Sequence, residues 1–387
     1  MKKLLGIIVL TTLICLMSSC RDRSYMESLN GLEVLHLKGD PYKRGLAHGE
    51  LLREEIGLSI SSWKKEVEEE FDASFEELLG RFYEISSFTE SIQNYDPDLL
   101  DEVDGIAEGS GINVKTLLAF QMSEEFSTLL NGETHKCTSL GYYGSDTTIT
   151  LLAQNMDPPL FLHGHPFVMH VIPGDGKPEQ FIFTVPGLLG LAGMNSCGVA
   201  LTCNGMSMLN HKADGLPVIS VVRQVLACKS LDAASRFLKQ ISFGIPQCFS
   251  IGGPHGLRCF ECSAGEVAEF YPFKDSNLVL HTNHSINNRD FNAGYVELLA
   301  HYGKTVDDPY FCPRYFLAYD EIEERNRKLD VKDLQDILRL KEPELEPILN
   351  PYTLGTLVMK LDDDPTLSLA LGHESDARFH QLDFRKK

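Results

Sequence analysis

The residue best placed for nucleophilic chemistry in this sequence is Cys137. It follows a polar stretch, residues 131–136, and opens an apolar stretch with the pattern of a strand. A thiolate is a strong nucleophile that can attack an amide carbonyl. A cysteine where a loop meets a strand is nevertheless most often a buried structural thiol. Cys137 alone therefore identifies no reaction, and its interpretation depends on what accompanies it.

Other patterns that could mark a metal or a cofactor are weak. His281 and His284, and the three histidines between residues 163 and 170, have neither HExxH nor helical i, i+4 spacing. Cys259 and Cys262 form a lone CxxC pair without a second pair at zinc spacing, and core packing explains them better than zinc or a redox role. No phosphate-loop sequence follows a strand. We therefore expect no metal and no cofactor.

The composition excludes several classes of protein. The chain has 387 residues, 43% of them hydrophobic and 23% charged, which is enough for a full core and excludes a disordered or collagen-like chain. The net charge is −20, which repels phosphate backbones, so nucleic acid is not an expected partner. Residues 21–136 carry 11 basic and 25 acidic side chains, a balance of −14. The acidic excess therefore lies mainly before Cys137.

The first twenty residues resemble a bacterial lipoprotein signal. Lys2 and Lys3 precede an apolar run, residues 4–17, and the small residues of SSC at 18–20 follow. This order is typical of a secretory signal, and the run is too short for a comfortable membrane span. The alternative is an ordinary signal peptide with an incidental cysteine. We expect a lipid on Cys20 that anchors the protein in the bacterial cell envelope.

The residue after Cys20 bears on which membrane holds the lipid. Arg21 is not the aspartate that retains lipoproteins in the inner membrane of enteric bacteria. We therefore expect the outer membrane, facing the periplasm or the surface, rather than the inner one. No later segment is apolar enough to span a bilayer, so the lipid is the expected membrane contact.

Eight cysteines remain when Cys15 in the signal and the lipidated Cys20 are set aside. An even number in an exported protein permits disulfides. Most of the eight lie within apolar runs and show no regular framework, so buried free thiols are equally plausible. The eight are Cys137, Cys197, Cys203, Cys228, Cys248, Cys259, Cys262 and Cys312.

The predicted secondary structure changes at Cys137, from helices before it to mostly strands after it. Residues 45–130 repeat apolar side chains at helical spacing. The later sequence consists mostly of short strand-like runs separated by turn residues, beginning with a hairpin over 138–154. Residues 218–240 and 314–340 are helical inserts. Helices, then strands, then helices and strands predict an α+β sandwich with antiparallel sheets.

Motifs spread over residues 32–385 resemble the N-terminal-nucleophile hydrolases, nearest to the peptidase C45 family that includes acyl-CoA:isopenicillin N acyltransferase. The more distant relatives are acid ceramidase and the choloylglycine hydrolases. Arg314, near the start of a helix, matches the position of an arginine in related enzymes. The other matching motifs are GDPYKRG at 39–45 with HG at 48–49, CTS at 137–139, AQNMD at 153–157, PGLLG at 186–190, GMNSCGVA at 193–200 followed by Asn204, HTNH at 281–284, and a closing hairpin over 356–372.

The resemblance implies a four-layer αββα fold and a mechanism centred on Cys137. Cleavage of the Lys136–Cys137 bond would free an α-amine that serves as the base for the thiol. Asn204 and Asn283 would donate N–H groups to the oxyanion of the tetrahedral intermediate. Asp157 would hold the new α-ammonium.

Arg314 would orient Asp157 or bind a substrate carboxylate. The implied organisation is a signal peptide over 1–19, a helical pro-segment over 20–136 that becomes a noncovalently held first chain, and a catalytic chain over 137–387. The implied activity is hydrolysis or transacylation of the linear amide bond of a small N-acyl compound, with an acyl-CoA-like or peptide-like group, through a thioester.

Two alternatives remain open. Within the enzymes, the chain could be an acid-ceramidase-like lipid amidase or an amidase of peptidoglycan fragments. Outside the enzymes, it could be a catalytically inactive envelope lipoprotein that uses the same pocket to bind a ligand. Asn204, Asn283 and Asp157 each also have a structural interpretation, as residues of turns or strand ends.

Overall fold

The structure of the protein is a computed structural model that describes residues 23–130, 137–144, 149–271, 277–308, 312–342 and 346–384. The predicted signal peptide, the lipidation site Cys20 and the residue before the predicted cleavage, Lys136, lie outside the described residues. Within the described part, no helix combines the length and the apolar character needed to cross a membrane.

The helical part of the first segment begins at residue 41, whereas the spacing of apolar residues predicted helices from residue 45. The first helix starts at Pro41, and the Asp40 side chain accepts a hydrogen bond from the Lys43 N–H at 3.0 Å, which satisfies a free donor of the first turn. Ser74 and Asn113 cap later helices in the same way. The helices are α1 Pro41–Leu51, α2 Arg53–Phe71, α3 Phe75–Ile85, α4 Phe88–Tyr95, α5 Pro97–Ser110, α6 Val114–Gln121 and α7 Ser123–Leu129.

Helices α1 and α5 approach each other closely through glycines. A Cβ on Gly45 of α1 would lie 1.9 Å from the Glu102 carbonyl oxygen of α5, and one on Gly109 of α5 would lie 2.4 Å from the Leu46 carbonyl oxygen. No side chain fits at either distance, so the two backbones touch directly. This contact explains the first motif, in which Gly45 is followed four residues later by Gly49 on the same helix face.

Fifteen strands in the described residues form two sheets. The larger sheet has the order β1-β2-β5-β6-β7-β8-β9-β10-β11 and the smaller one β12-β3-β4-β13-β14-β15. The strands are β1 Tyr25–Leu29, β2 Leu32–Gly39, β3 Thr138–Gly144, β4 Ile149–Met156, β5 Phe167–Pro173, β6 Gln180–Thr184, β7 Ala192–Asn195, β8 Ala200–Gly205, β9 Gln247–Gly253, β10 Gly256–Cys262, β11 Val267–Phe270, β12 Leu278–His281, β13 Gly355–Lys360, β14 Thr366–Leu371 and β15 His380–Asp383.

The two sheets pack face to face, and helices cover their outer faces. Gly252 of β9 lies against the side chains of Leu361 and Leu152, which belong to the smaller sheet and its edge. The opposite face of the smaller sheet packs on two helices through a separate apolar cluster that includes Leu151 and Ala318. The helices of the later chain are α8 Val218–Ala227, α9 Leu231–Gln240, α10 Ala293–His301, α11 Pro313–Glu324 and α12 Val331–Leu338.

The α+β class and the layered sandwich predicted from the sequence are confirmed. All pairs of neighbouring strands are antiparallel except β2 and β5, which run parallel, with Val34 opposite Val168. The first segment also differs from the purely helical one that we expected, since it opens with the hairpin β1–β2. Asn30 and Gly31 both have positive φ, 55° and 98°, which is the turn that an Asn-Gly pair favours between two strands.

The first segment and the later chain share one continuous core. Trp63 and Phe120 of the first segment belong to the same buried cluster as Val222 and Phe249. A buried ion network reinforces this contact. Glu102 of α5 accepts hydrogen bonds from Arg44 at 2.8 Å and from Arg223 of α8 at 2.7 Å. Because the carboxylate is fully buried, these two cations are what make its charge tolerable there.

Candidate active site

A cavity of about 450 Å³ opens beside Cys137. Its walls come from α7, from the ends of β3, β4 and β8, from the start of β9, and from the loop that includes Leu188 and Leu191. Most of the lining is apolar, and the volume suits a small organic ligand. The apolar part of the wall is formed by Met156, Leu162, Leu188, Leu191, Met206, Leu209, Val218, Ile219 and Ile245.

The backbone of Cys137 is fixed on both sides by polar contacts. Its nitrogen donates a hydrogen bond to Oδ1 of Asn283 at 2.7 Å. Its carbonyl oxygen accepts one from Nη1 of Arg314 at 2.7 Å, and the same nitrogen also donates to the hydroxyl of Thr138 at 2.8 Å. Nη2 of Arg314 reaches Oδ1 of Asn283 at 3.0 Å. Cys137, Asn283 and Arg314, three of the predicted site residues, therefore lie together.

The Cys137 thiol holds its proton in the intact chain. Burial raises the pKa of Cys137 well above its usual range, and the charge of the nearby Asp157 raises it further. The backbone of Asp157 and the Arg314 guanidinium act in the opposite direction but are smaller effects. Such a thiol needs a base to become a nucleophile. Only a proton acceptor placed next to the sulfur would supply the thiolate.

Asp157 lies one residue beyond the end of β4, the strand paired with β3. One carboxyl oxygen accepts a hydrogen bond from the hydroxyl of Thr353 at 2.7 Å and the other from Nδ2 of Asn350 at 2.5 Å. Burial raises the pKa of Asp157 to about 7, although these two donors and Arg314 lower it. The sequence analysis missed Asn350 and Thr353, because their loop becomes a neighbour of Asp157 only through the pairing of β13 with β4.

Asn204 presents a free amide donor in a fully buried position. Its Oδ1 accepts a hydrogen bond from the Ser139 hydroxyl at 2.6 Å, while its Nδ2 has no hydrogen-bond partner among the described residues. A buried donor without a partner costs free energy and so calls for an explanation. Cys203 and Gly205, the neighbours of Asn204 on β8, both line the cavity.

Asn283 uses its amide group differently from Asn204. Its Nδ2 donates to the Gly205 carbonyl oxygen at 3.1 Å, and its Oδ1 receives the Cys137 N–H. In the intact chain, Asn283 therefore contacts the nucleophile at the backbone nitrogen of Cys137. Arg314 lies with Cys137 and Asn283, and no hydrogen bond joins it to Asp157 in the described structure.

The HTNH motif at residues 281–284 is held in place by a buried glutamate. Glu261 of β10 contacts Nε2 of His281 at 3.1 Å, and its two oxygens accept hydrogen bonds from the backbone N–H groups of residues 286, 287 and 288. These bonds lower the pKa of Glu261 against the effect of burial, with the His281 contact the largest of them. His281 therefore acts on the site through loop geometry and does not line the cavity.

The loop over residues 186–191 is anchored by the first segment. Nε2 of His48 on α1 accepts a hydrogen bond from the Gly187 N–H at 3.1 Å. Gln121 donates to the Gly187 carbonyl oxygen at 2.6 Å and accepts from the Leu189 N–H at 2.9 Å. Burial lowers the pKa of His48 to about 4, so its ring is neutral and can accept. The HG motif at 48–49 and the PGLLG motif at 186–190 thus meet beside the cavity.

Two glutamates of α7 also line the cavity, and the sequence analysis did not single them out. Glu124 accepts a hydrogen bond from Nε2 of Gln247 at 2.7 Å, and Glu125 accepts one from the Val218 N–H at the start of α8 at 2.8 Å. Burial raises the pKa of Glu124 to about 7 and that of Glu125 to about 8. The sequence predicted only a helix at these two positions, because the burial of the glutamates beside β9 depends on the tertiary structure.

The remaining cysteines and histidines form no second reactive cluster in the described residues. All eight cysteines from Cys137 onward are free thiols, with Sγ atoms of Cys248 and Cys259 3.3 Å apart in the core. No group of three or more His, Cys, Asp or Glu side chains in this part of the chain has a geometry suited to a metal ion.

The sequence is similar to one family model and to several known proteins. The model of the acyl-coenzyme A:6-aminopenicillanic acid acyl-transferase family matches residues 144–296. The 40 kDa form of acyl-coenzyme A:6-aminopenicillanic-acid-acyltransferase from Emericella nidulans is 24% identical over 267 residues, which is 67% of this chain and 72% of that protein. Protein dcd1A of Dictyostelium discoideum is 29% identical over 188 residues, 42% of this chain, and the match spans 41% of the length of dcd1A.

Solved structures that align with this chain include a bile acid hydrolase and a penicillin acylase. Conjugated bile acid hydrolase from Clostridium perfringens aligns with a TM-score of 0.44 at 15% identity, over 65% of this chain and 93% of that one. Penicillin V acylase from Agrobacterium tumefaciens aligns with a TM-score of 0.40 at 15% identity, over 65% and 87%. The sequence matches, together with the motifs, make the chain similar to the acyl-coenzyme A:6-aminopenicillanic acid acyltransferases.

Proposed function

We propose that the chain is a cysteine amidase or acyltransferase that cleaves itself before Cys137 and then uses this residue as its nucleophile. One observation carries the proposal. Cys137 lines the cavity, while its backbone nitrogen is held 2.7 Å from Oδ1 of Asn283. Cleavage of the preceding bond would turn this held nitrogen into an amine next to the thiol.

Self-cleavage begins at the thiol of Cys137. The sulfur attacks the carbonyl carbon of Lys136, the bond from that carbon to the Cys137 nitrogen breaks, and a thioester replaces the peptide bond. Water then hydrolyses the thioester, which releases the Lys136 carboxylate and the free thiol. The nitrogen leaves as a primary amine with a typical pKa of about 7.7–8.0. Arg314 supports this step, because its hydrogen bond to the Cys137 carbonyl oxygen holds Cys137 in place while the peptide bond at the Cys137 nitrogen breaks.

The new amine provides the base that the buried thiol lacks. It takes the thiol proton, the thiolate attacks the amide carbonyl of the substrate, and negative charge develops on the carbonyl oxygen. Nδ2 of Asn204 is a buried donor without a partner and is suited to this oxyanion. The α-ammonium returns a proton to the leaving amine, and the Asp157 carboxylate stabilises the ammonium while it exists. Water or a second amine then resolves the thioester.

The cavity favours a substrate with an apolar portion. The volume of about 450 Å³ and the mostly aliphatic wall would accommodate a short acyl chain or a small ring. The family acts on amide bonds of acyl compounds, and we propose a small N-acyl amide as the substrate of this chain. Water and an amine are both chemically competent acceptors of the acyl group.

The proposal is tested by the state of the purified protein. We expect denaturing gel electrophoresis to show two fragments, and Edman sequencing of the larger one to begin Cys-Thr-Ser-Leu. Cys137→Ala should remain intact. Cys203→Ala is the matched control, because Cys203 is also a buried thiol of the same cavity, and this variant should still be cleaved. A wild-type chain that stays intact and takes up no iodoacetamide at Cys137 would overturn the proposal.

We also propose that the protein is attached to the bacterial envelope through a lipid on Cys20. The support is the sequence of residues 1–20, with its basic start, apolar run and lipobox. Metabolic labelling with a radioactive fatty acid should mark the fragment that contains Cys20, and Cys20→Ala should abolish the label. Uptake of label by the alanine variant, or by the Cys137 fragment, would contradict this assignment.

A further inference from the structure

The cavity beside Cys137 has several acidic groups in its described wall and no lysine or arginine. The three carboxyl groups are those of Glu124, Glu125 and Asp157. The one histidine in the described wall is His211, and burial lowers its pKa, which disfavours the charged form of the ring. A carboxylate in an apolar wall needs a counter-charge. Arg314 acts on Asp157, whereas no cation acts on the pKa of Glu124 or Glu125, where burial dominates.

The two glutamates differ in what they already bind. Glu125 is almost fully buried and receives the Val218 N–H at the first turn of α8, where it acts as a helix cap for a start that has none of its own. Asp157 has both oxygens occupied by Thr353 and Asn350. Glu124, by contrast, is half-buried and receives a single hydrogen bond, from Gln247. Glu124 is therefore the carboxylate of this wall that a ligand can reach.

Gln247 brings a second acceptor to the same part of the wall. It is 2% exposed and lines the cavity, and its Nε2 is committed to Glu124. This bond fixes the orientation of the amide, because only the nitrogen can donate to a carboxylate. The amide oxygen Oε1 is left without a hydrogen-bond partner in the described structure. Glu124 and Gln247 together thus offer acceptors, with no free donor between them.

We propose that Glu124 and Gln247 form a subsite for a primary ammonium group, so that the substrate is an N-acyl amide carrying an amine remote from the scissile bond. This inference rests on the proposed function for its substrate class. An ammonium group has three N–H donors and no acceptor, which matches a carboxylate beside a free amide oxygen. The aliphatic wall formed by Leu188, Ile219 and Ile245 holds the methylene chain that joins the amine to the amide.

The position of the subsite gives the first segment a direct part in recognition. Glu124 belongs to α7, which precedes the proposed cleavage point, whereas Gln247 belongs to β9 of the later chain. The charge of Glu124 is felt by both Cys137 and Cys203, so the subsite and the nucleophile share one low-dielectric space. The ammonium group would offset this charge when the substrate binds.

Binding of simple amines tests the subsite without any turnover. Isothermal titration of full-length Cys137→Ala with hexylammonium and with hexanol at pH 8.5 compares a cation with a neutral molecule of the same length. We expect hexylammonium to bind at least about tenfold more tightly, as is typical for a charge-assisted hydrogen bond in a partly buried site. Glu124→Gln, added to Cys137→Ala, should bring the ratio to within about twofold. The matched control is Glu84→Gln in the same background, because Glu84 is an exposed glutamate of α3 and should leave the ratio unchanged.

Hydrolysis separates this inference from the proposed function. The 4-nitroanilides of 6-aminohexanoic and heptanoic acids differ only in a terminal ammonium or methyl group. Hydrolysis of the heptanoyl compound by the wild type, lost in Cys137→Ala, supports the amidase independently of the amine. Equal binding of hexylammonium and hexanol, or a preference that survives Glu124→Gln, would overturn the ammonium subsite whether or not the amidase is active.

Discussion

The backbone nitrogen of Cys137 and Oδ1 of Asn283 lie 2.7 Å apart, and the guanidinium of Arg314 touches the same oxygen at 3.0 Å. One amide oxygen thus gathers two donors from different parts of the chain. The group that would become the α-amine is fixed before any bond is cut, so cleavage would require little rearrangement of the site.

Removing that acceptor should affect both stability and processing. We expect Asn283→Ala to lower the free energy of unfolding by about 1–3 kcal/mol, because two buried donors lose their partner. It should also slow self-cleavage, measured as the half-time of fragment appearance on a gel. Asn283→Asp keeps the acceptor and should retain more stability than the alanine variant. Equal stability of the two variants would show that the Oδ1 contacts matter little.

Loss of the free donor of Asn204 should affect turnover more than binding. We expect Asn204→Ala to reduce kcat for amide hydrolysis by about 10²–10³-fold with little change in KM, because the donor would act only on the developing oxyanion. Ser139→Ala is the control, since it removes the hydroxyl that holds Oδ1 of Asn204 and leaves Nδ2 present. A kcat of Asn204→Ala near the wild-type value would exclude the amide from the oxyanion site.

The pH dependence of stability should reveal Asp157. Its folded-state pKa of about 7 lies above the ordinary pKa of 3.8 of a free aspartate, so the folded chain holds a proton between these values that the unfolded chain has lost. The stability that this proton contributes is present at low pH and is lost as the pH rises through about 7. We therefore expect the stability of Cys137→Ala relative to Cys137→Ala/Asp157→Asn to fall between pH 5.5 and 8.5. Using the uncleaved background keeps the α-ammonium from reversing the shift, and a pH-independent difference would contradict the prediction.

The contact between α1 and α5 can be tested by adding one methyl group. Gly45→Ala places a Cβ where the Glu102 carbonyl oxygen stands, and we expect a loss of at least about 3 kcal/mol in the free energy of unfolding, the upper part of the range for overpacking. Gly57→Ala is the matched control, because Gly57 lies inside α2 with no atom within 4 Å of a new Cβ. That substitution should stabilise the chain by about 0.5–1 kcal/mol through the helix propensity of alanine. Chemical denaturation of both variants gives the comparison.

Much of the fold followed from local patterns in the sequence. Helical spacing of apolar residues marked the first segment, and the change to short strand-like runs near Cys137 marked the start of the sandwich. The hairpin β1–β2 was not predicted although Asn30-Gly31 is its turn signal, because the helical spacing that follows is the longer pattern in the first segment. The parallel pairing of β2 with β5 has no local signal, since it joins strands more than 130 residues apart.

The candidate site was predictable only in part. Separate motifs identified Cys137, Asn283 and Arg314, and the fold brings these three residues into contact. Asn350 and Thr353, which hold Asp157, and Gln247, which holds Glu124, stand in ordinary polar stretches. Their roles depend on residues that are neighbours only in the folded structure, and the spacing of residues along the chain does not reveal these neighbours. The buried Glu102 with its two arginines is a further case, since the sequence shows only an acidic helix.

The parallel pairing of β2 with β5 has a consequence for a chain cut before Cys137. The outermost two strands of the larger sheet would then belong to one polypeptide and the remaining seven to another. A fragment beginning at Cys137 and produced alone would expose the bare edge of β5, which is a template for association with other chains. Co-expression of both pieces, rather than production of the later one, is therefore the condition under which a two-chain form should be soluble.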